Sequence, residues 1–249
     1  MRKIATKLGA AVALSLATAA AADATPARNV VLVHGAFTDQ TSWSKVAQIL
    51  RRKGYHVTLV ANPLTSLDAD VAATRSALAA QKGPTVLVGH SWAGVVIGKA
   101  GDDPKVSALV YVAAYAPERG ERLKKLSDGV PPSPGQKALR PDARGYLTLD
   151  PAALPAVFAG DLPPADGKAL VAHQLPLNGA VFGTEATVAA WHDKPTFYAI
   201  SAKDQMIPPQ AEAMFAKRMH AQTVTLQSSH ASPVSHPAEV AALIERAAR

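Results

Sequence analysis

The residues best suited to chemistry are a serine, an aspartate and a histidine that lie far apart in the chain. Ser91 sits in Gly89-His90-Ser91-Trp92-Ala93, a small-x-Ser-x-small pentapeptide with alanine where a second glycine is usual. Small residues at those two places let a strand and a helix pass closely. The serine between them is then held exposed on a sharp, strained turn. The helix that follows presents its N-terminus, where negative charge is stabilised. On its own the pentapeptide is a weak signal, because a serine opening a helix is often only a cap. Its place strengthens it: it directly follows the apolar run Thr85-Val86-Leu87-Val88 and opens a helix at about Ala93.

A nucleophilic serine needs a base, and the base needs a carboxylate to orient it. Behind such an elbow the order is serine, acid, histidine. Asp204 follows the apolar run Pro195 to Ser201, and His230 follows Thr223 to Gln227. Taken singly, Asp204 reads as a turn or helix-cap aspartate and His230 as a loop histidine. Together they stand at the carboxyl ends of two strands, where the crevice of an open α/β sheet lies. His236 is a weaker candidate base, because it precedes Pro237 at the start of the last helix. His90 should point away from Ser91. His173, His192 and His220 sit in surface or helix-end contexts, and Asp102-Asp103 lies at the amino edge of its strand.

An oxyanion requires two preorganised N–H donors. One is expected from Trp92, next to the serine. The other is expected from the loop His34-Gly35-Ala36-Phe37 after the first strand, with Ala36 preferred and Phe37 the alternative. Phe37 and Trp92, with Leu154, Leu162 and Phe182, are expected to line a mostly apolar substrate pocket. No metal-binding spacing is apparent, since no close His pair has a carboxylate partner.

The elements that must position these residues follow from hydrophobic patterning. Asn29 to Val33 (NVVLV) is a continuous apolar run, as in a parallel strand covered on both faces. Ser42 to Lys53 reads as a helix stopped by Gly54, Tyr55 to Ala61 as a strand, and Asp68 to Gln81 as a helix. Val106 to Ala113 is a further strand. This alternation implies βαβ crossovers and a doubly wound, mostly parallel sheet. From about Ala116 the rhythm breaks into Pro- and Ala-rich sequence until Asp193. A structureless loop that long would be unusual. The stretch 118–193 is therefore expected to be an inserted, mainly helical cap, with helices near Pro151 to Phe158 and Gly167 to Gln174. Residues 27–117 and 194–249 form the core. Pro209 to His220 and Pro237 to Ala248 complete it as helices.

Bulk composition narrows the class. The chain has 249 residues, 48% hydrophobic and 18% charged, which fits one globular α/β domain. Its net charge of +7 is scattered, and aromatics are only 5%, so a nucleic-acid footprint is not expected. There is no cysteine, which excludes disulfides, thiolate catalysis and cysteine-ligated metals. Arg2, Lys3 and Lys7 precede the apolar run Leu8 to Ala22, and Ala22-Asp23-Ala24 fits a cleavage site. Residues 1–24 therefore read as a signal peptide, with an earlier cut within Ala19 to Ala22 as a variant. An uncleaved anchor is the competing reading, but the run falls short of the ~20 residues that span a bilayer. The mature chain is expected in a periplasm or the medium, without stable membrane insertion.

Assembled, Val31-Leu32-Val33-His34-Gly35-Ala36-Phe37, Trp43, Val86 to Gly94, Tyr115-Ala116-Pro117, His230 and Ser235-His236-Pro237 resemble the α/β-hydrolase superfamily. Within it they look like the branch of plant methylesterases and hydroxynitrile lyases. The resemblance spans nearly all of residues 28–249. It implies Ser91 as nucleophile, His230 as base, Asp204 as orienting acid, Ala36 and Trp92 as oxyanion donors, a small or aromatic ester as substrate, and no cofactor. Lyases of that branch typically carry threonine after the first-strand histidine. Gly35 stands there, which favours an esterase. Amidase, carbon–carbon hydrolase, lyase and cofactor-free haloperoxidase chemistry share the triad, and a ligand-binding protein on the same scaffold is the non-enzymatic alternative.

Overall fold

The apolar run NVVLV forms β1 (Asn29–Val33), and all five of its residues are buried. In the computed structural model, residues 26–126 and 133–249 are described. The expected signal peptide lies outside them. Among the described residues, no helix is long and apolar enough to cross a membrane.

The first half alternates as expected: α1 (Ser44–Arg52), β2 (His56–Val60), α2 (Leu67–Ala79), β3 (Thr85–His90), α3 (Ala93–Ala100) and β4 (Val106–Val112). A 3-10 turn over Gln40–Trp43, capped by the Asp39 side chain, precedes α1, so that helix starts two residues later than its pattern suggests. Ser66 caps α2 by accepting the Ala69 N–H.

After β4 the chain leaves the sheet. It forms α4 (Pro134–Lys137), β5 (Leu139–Pro141), β6 (Tyr146–Leu149), α5 (Leu154–Val157), α6 (Pro164–Ala172) and β7 (Leu177–Asn178). Strands β5, β6 and β7 make a small antiparallel sheet that the sequence reading did not anticipate. They are three, four and two residues long, too short to carry an alternating pattern. Helix α6 also begins earlier than expected. Pro164 starts it, because a first-turn proline needs no N–H partner.

The sheet rhythm resumes with β8 (Thr196–Ser201), α7 (Pro209–Arg218), β9 (Gln222–Leu226), α8 (Ser232–Ser235) and α9 (Pro237–Ala247). The main sheet has the order β2-β1-β3-β4-β8-β9, and every pairing in it is parallel. Each buried strand feeds two cores. Val31, Val33 and Leu87 pack with α2, α3 and the inserted segment, while Val30, Leu32, Val86 and Val88 pack with α1 and α9. Helices on both faces explain why β1 and β3 are buried at every position. They also leave the carboxyl ends of β3, β8 and β9 facing one crevice, beneath the inserted segment.

Candidate active site

Ser91 leaves β3 with φ +55°, in the left-handed region that a side chain adopts only under constraint. Its N–H donates to Val112 O at 3.2 Å, and its carbonyl accepts the Tyr115 N–H at 3.2 Å. The close approach that permits this turn falls on Gly94, not on Ala93. A Cβ at Gly94 would lie 2.0 Å from the Tyr115 carbonyl oxygen. Alanine is therefore accommodated at the position where the motif usually has glycine.

The structure brings the three widely spaced residues together. His230 Nε2 lies 2.8 Å from Ser91 Oγ, and its Nδ1 lies 2.5 Å from Asp204 Oδ2. The Asp204 and His230 side chains are essentially sealed from solvent. The other Asp204 oxygen accepts the N–H groups of Met206 at 2.6 Å and Ile207 at 2.9 Å, which fixes the carboxylate plane. This line of donors and acceptors can pass a proton from a hydroxyl to an imidazole and stabilise the resulting cation.

The other candidates sit elsewhere. His236 is part of the N-cap of α9 and faces Ser235 Oγ at 2.9 Å and Asp161 at 3.5 Å. His173 pairs with Asp39 and His192 with Glu118, both at the surface. Asp102 pairs with Arg75. His90 turns away from Ser91, and its Nε2–H donates to the His230 carbonyl at 2.9 Å. Burial holds the His90 imidazole well below its ordinary pKa, and the neighbouring His230 adds to this, so it serves as a neutral donor.

The loop after β1 is fixed in the same manner. His34 Nε2 accepts the Asn62 N–H at 2.9 Å, and the Asn62 side chain donates to His34 O at 2.8 Å. Burial lowers the His34 pKa, which keeps that acceptor nitrogen free of a proton. A Cβ on Gly35 would lie 2.7 Å from Ser91 Cβ, so the loop backbone rests directly on the serine. Phe37 follows with φ +60°. Ala36, Phe37, Ser91 and Trp92 share one cavity of about 60 Å³.

That cavity is mostly apolar. Phe182 lines it as expected, with Tyr115, Leu123, Leu139, Leu177, Met206 and Ile207, which sequence reasoning missed. Leu154 and Leu162 do not line it. Leu154 is fully buried in the core and Leu162 packs at the core's edge. Among the described lining residues none carries a formal charge, and the polar side chains are Ser91, Tyr115 and Gln136.

Two buried carboxyls also escaped the sequence reading. Asp70 accepts the Trp92 indole N–H at 2.7 Å and the Leu64 N–H at 2.8 Å, which pins the residue after the serine. Burial raises the Asp70 pKa against those two bonds. Glu212 is fully buried and accepts the Ser201 N–H at 3.0 Å. Burial first, and then the charge of Asp204, hold Glu212 well above the ordinary carboxylate range. Nothing in their local sequence marks them, because each follows from contacts across elements.

Comparison with known proteins agrees with this architecture. A probable hydrolase of Phoma sp. (strain ATCC 20986 / MF5453) is 26% identical over 86% of this chain and 96% of its own length. The carbendazim-hydrolyzing esterase of Nocardioides sp. (strain SG-4G) is 30% identical over 39% of this chain and 46% of its own. Among solved structures, the pyrethroid hydrolase of Sphingobium faniae JZ-2 superposes with a TM-score of 0.74 at 23% identity, covering 88% of this chain and 96% of that one. Plant methylesterases are also among the structural neighbours. The sequence profile of the alpha/beta hydrolase family matches residues 30–243, and the chain belongs to that family.

Proposed function

We propose that the protein is a serine hydrolase that cleaves a small, neutral carboxylic ester through an acyl-enzyme on Ser91. The observation that carries this reading is the unbroken line Ser91 Oγ, His230 and Asp204, with 2.8 and 2.5 Å links. His230 takes the Ser91 proton as the serine oxygen attacks the ester carbonyl. The N–H groups of Ala36 and Trp92 hold the oxyanion, with Phe37 as the alternative to Ala36. His230 then protonates the leaving alcohol, and a water molecule releases the acid by the reverse sequence.

The uncharged lining favours a neutral substrate, and the small cavity favours a small group on at least one side of the ester. Similarity to an esterase and to a pyrethroid hydrolase supports ester chemistry. The contact of Gly35 with Ser91 leaves no room for a side chain at that position, which disfavours the lyase alternative. The N-terminal segment 1–24 would direct export.

The test is a panel of p-nitrophenyl and methyl esters of rising acyl size, beside Ser91→Ala. A fall in turnover of at least ~10³-fold in the variant is expected, because the triad works as a unit. Absence of ester turnover by the wild type would overturn the reading.

A further inference from the structure

We infer that the segment inserted between β4 and β8 positions the candidate base, with Phe158 and Asp161 latching the loop that carries His230. The inference rests on the proposed role of His230. That residue stands in a short connection between β9 and α8, and loops hold a side chain less firmly than helices or strands do. Its imidazole must nonetheless reach two partners at once. On the sheet side the His90 imidazole holds the His230 carbonyl. On the opposite side the tethers come from the stretch that follows α5.

The Phe158 carbonyl accepts the Ala231 N–H at 2.9 Å and lies 3.1 Å from Ser229 Oγ. The Ser229 hydroxyl donates to an Asp161 carboxylate oxygen. Both chain neighbours of His230 are thus tied to one four-residue stretch, Phe158 to Asp161. The Phe158 ring meets the His230 ring edge-on, with centroids 4.8 Å apart and planes at 78°. That contact blocks the imidazole from swinging toward the inserted segment. The second Asp161 oxygen faces His236 Nδ1 at 3.5 Å, without a hydrogen bond between them. Burial would raise the Asp161 pKa, but hydrogen bonds from Ser229 and Ser235 outweigh it and lower it, which keeps an ionised acceptor in the latch.

A tie that served only to dock the inserted segment would affect stability or substrate affinity. A latch on the base should instead affect the proton-transfer step. The experiment compares Asp161→Ala, Ser229→Ala, the double variant and Asp161→Asn. It reads the rate of Ser91 phosphonylation by a fluorophosphonate probe, and kcat and KM on p-nitrophenyl acetate, per folded molecule. Each alanine variant should react ~10- to 100-fold more slowly, as expected for a catalytic group displaced by up to ~1 Å. KM should stay within threefold, and the double variant should be no slower than the worse single one, because both remove one interaction. Asp161→Asn should recover most of the rate, because its amide oxygen can still accept the Ser229 hydroxyl. Wild-type rates in the alanine variants, a rise in KM alone, or multiplicative losses in the double variant would overturn the latch. Unlabelled wild-type protein would overturn the serine-hydrolase reading and the latch's catalytic purpose with it.

Discussion

Replacing Gly94 with alanine should damage both stability and catalysis. The added Cβ would lie 2.0 Å from the Tyr115 carbonyl oxygen, about 1.4 Å short of ordinary contact, and 2.9 Å from Ala114 Cβ. One neighbour is backbone and the other a rigid alanine methyl, so no flexible side chain can swing away. Overpacking of this kind costs about 1–3 kcal/mol or more. For a chain of this size that corresponds to a fall in Tm of roughly 3–10 °C. The strain also has a direction. Tyr115 donates its N–H to the Ser91 carbonyl, so forcing Tyr115 away pulls on the elbow. A displacement near 1 Å at a reacting group typically lowers the rate by ~10²-fold. Gly98, one turn further along α3, supplies the contrast. A Cβ there would meet its nearest neighbour at 3.7 Å, an ordinary contact. Gly98→Ala should therefore be neutral, or stabilising by up to about 1 kcal/mol through helix propensity. Thermal unfolding and p-nitrophenyl ester turnover, measured on both variants, decide the matter. A Gly94→Ala protein with wild-type Tm and wild-type turnover would refute the packing argument for the elbow.

Further outcomes follow from the same site. Asp204→Asn should keep the bonds from Met206 and Ile207, since an amide oxygen accepts them equally, yet lower kcat on the order of 10³–10⁴-fold by leaving His230 unoriented. Thermal unfolding beside steady-state kinetics would check this, and a large loss of Tm would contradict it. Glu212 predicts a pH effect on stability. Its folded pKa is raised, so its contribution is complete below the ordinary carboxylate pKa and is lost as pH climbs toward the raised folded value. Glu212→Gln should remove this decline, which has a slope of up to about 1.4 kcal/mol per pH unit. Urea unfolding of both proteins at pH 5 and pH 8 would reveal it, and parallel pH trends would count against it. At the surface, Asp68→Ala breaks the Lys99 pair, but the Asp68 side chain is 82% exposed. Stability should change by less than ~0.5 kcal/mol, as read from the urea midpoint.

How far the sequence could be read depended on whether a feature was local. Asn29–Val33 and Thr85–His90 announced a two-sided sheet because every position in them is buried. Ser91, Asp204 and His230 were legible because each lies within a few residues of the carboxyl end of a strand. Strands β5 to β7 were not, since two to four residues give no periodic signal. The pocket wall was only half legible. Phe182 was placed correctly, but Leu154 turned into the core, because a leucine in a four-residue helix can face either way. Asp70, Glu212 and Asp161 act through partners 22, 11 and 68 residues away, and no local pattern encodes such distances.

The strand order has a consequence for how the protein fails. The serine grows from β3, well inside the sheet, whereas the histidine follows β9, which is hydrogen-bonded to a neighbour on one side only. Margin strands open more readily than central ones. Warming should therefore detach the proton acceptor while the hydroxyl stays in place. Activity should vanish several degrees below the main unfolding transition and return on cooling. The amides of Gln222–Leu226 should exchange with deuterium well before those of Thr85–His90. Such a molecule would carry its own fuse, going silent before it loosens enough to aggregate.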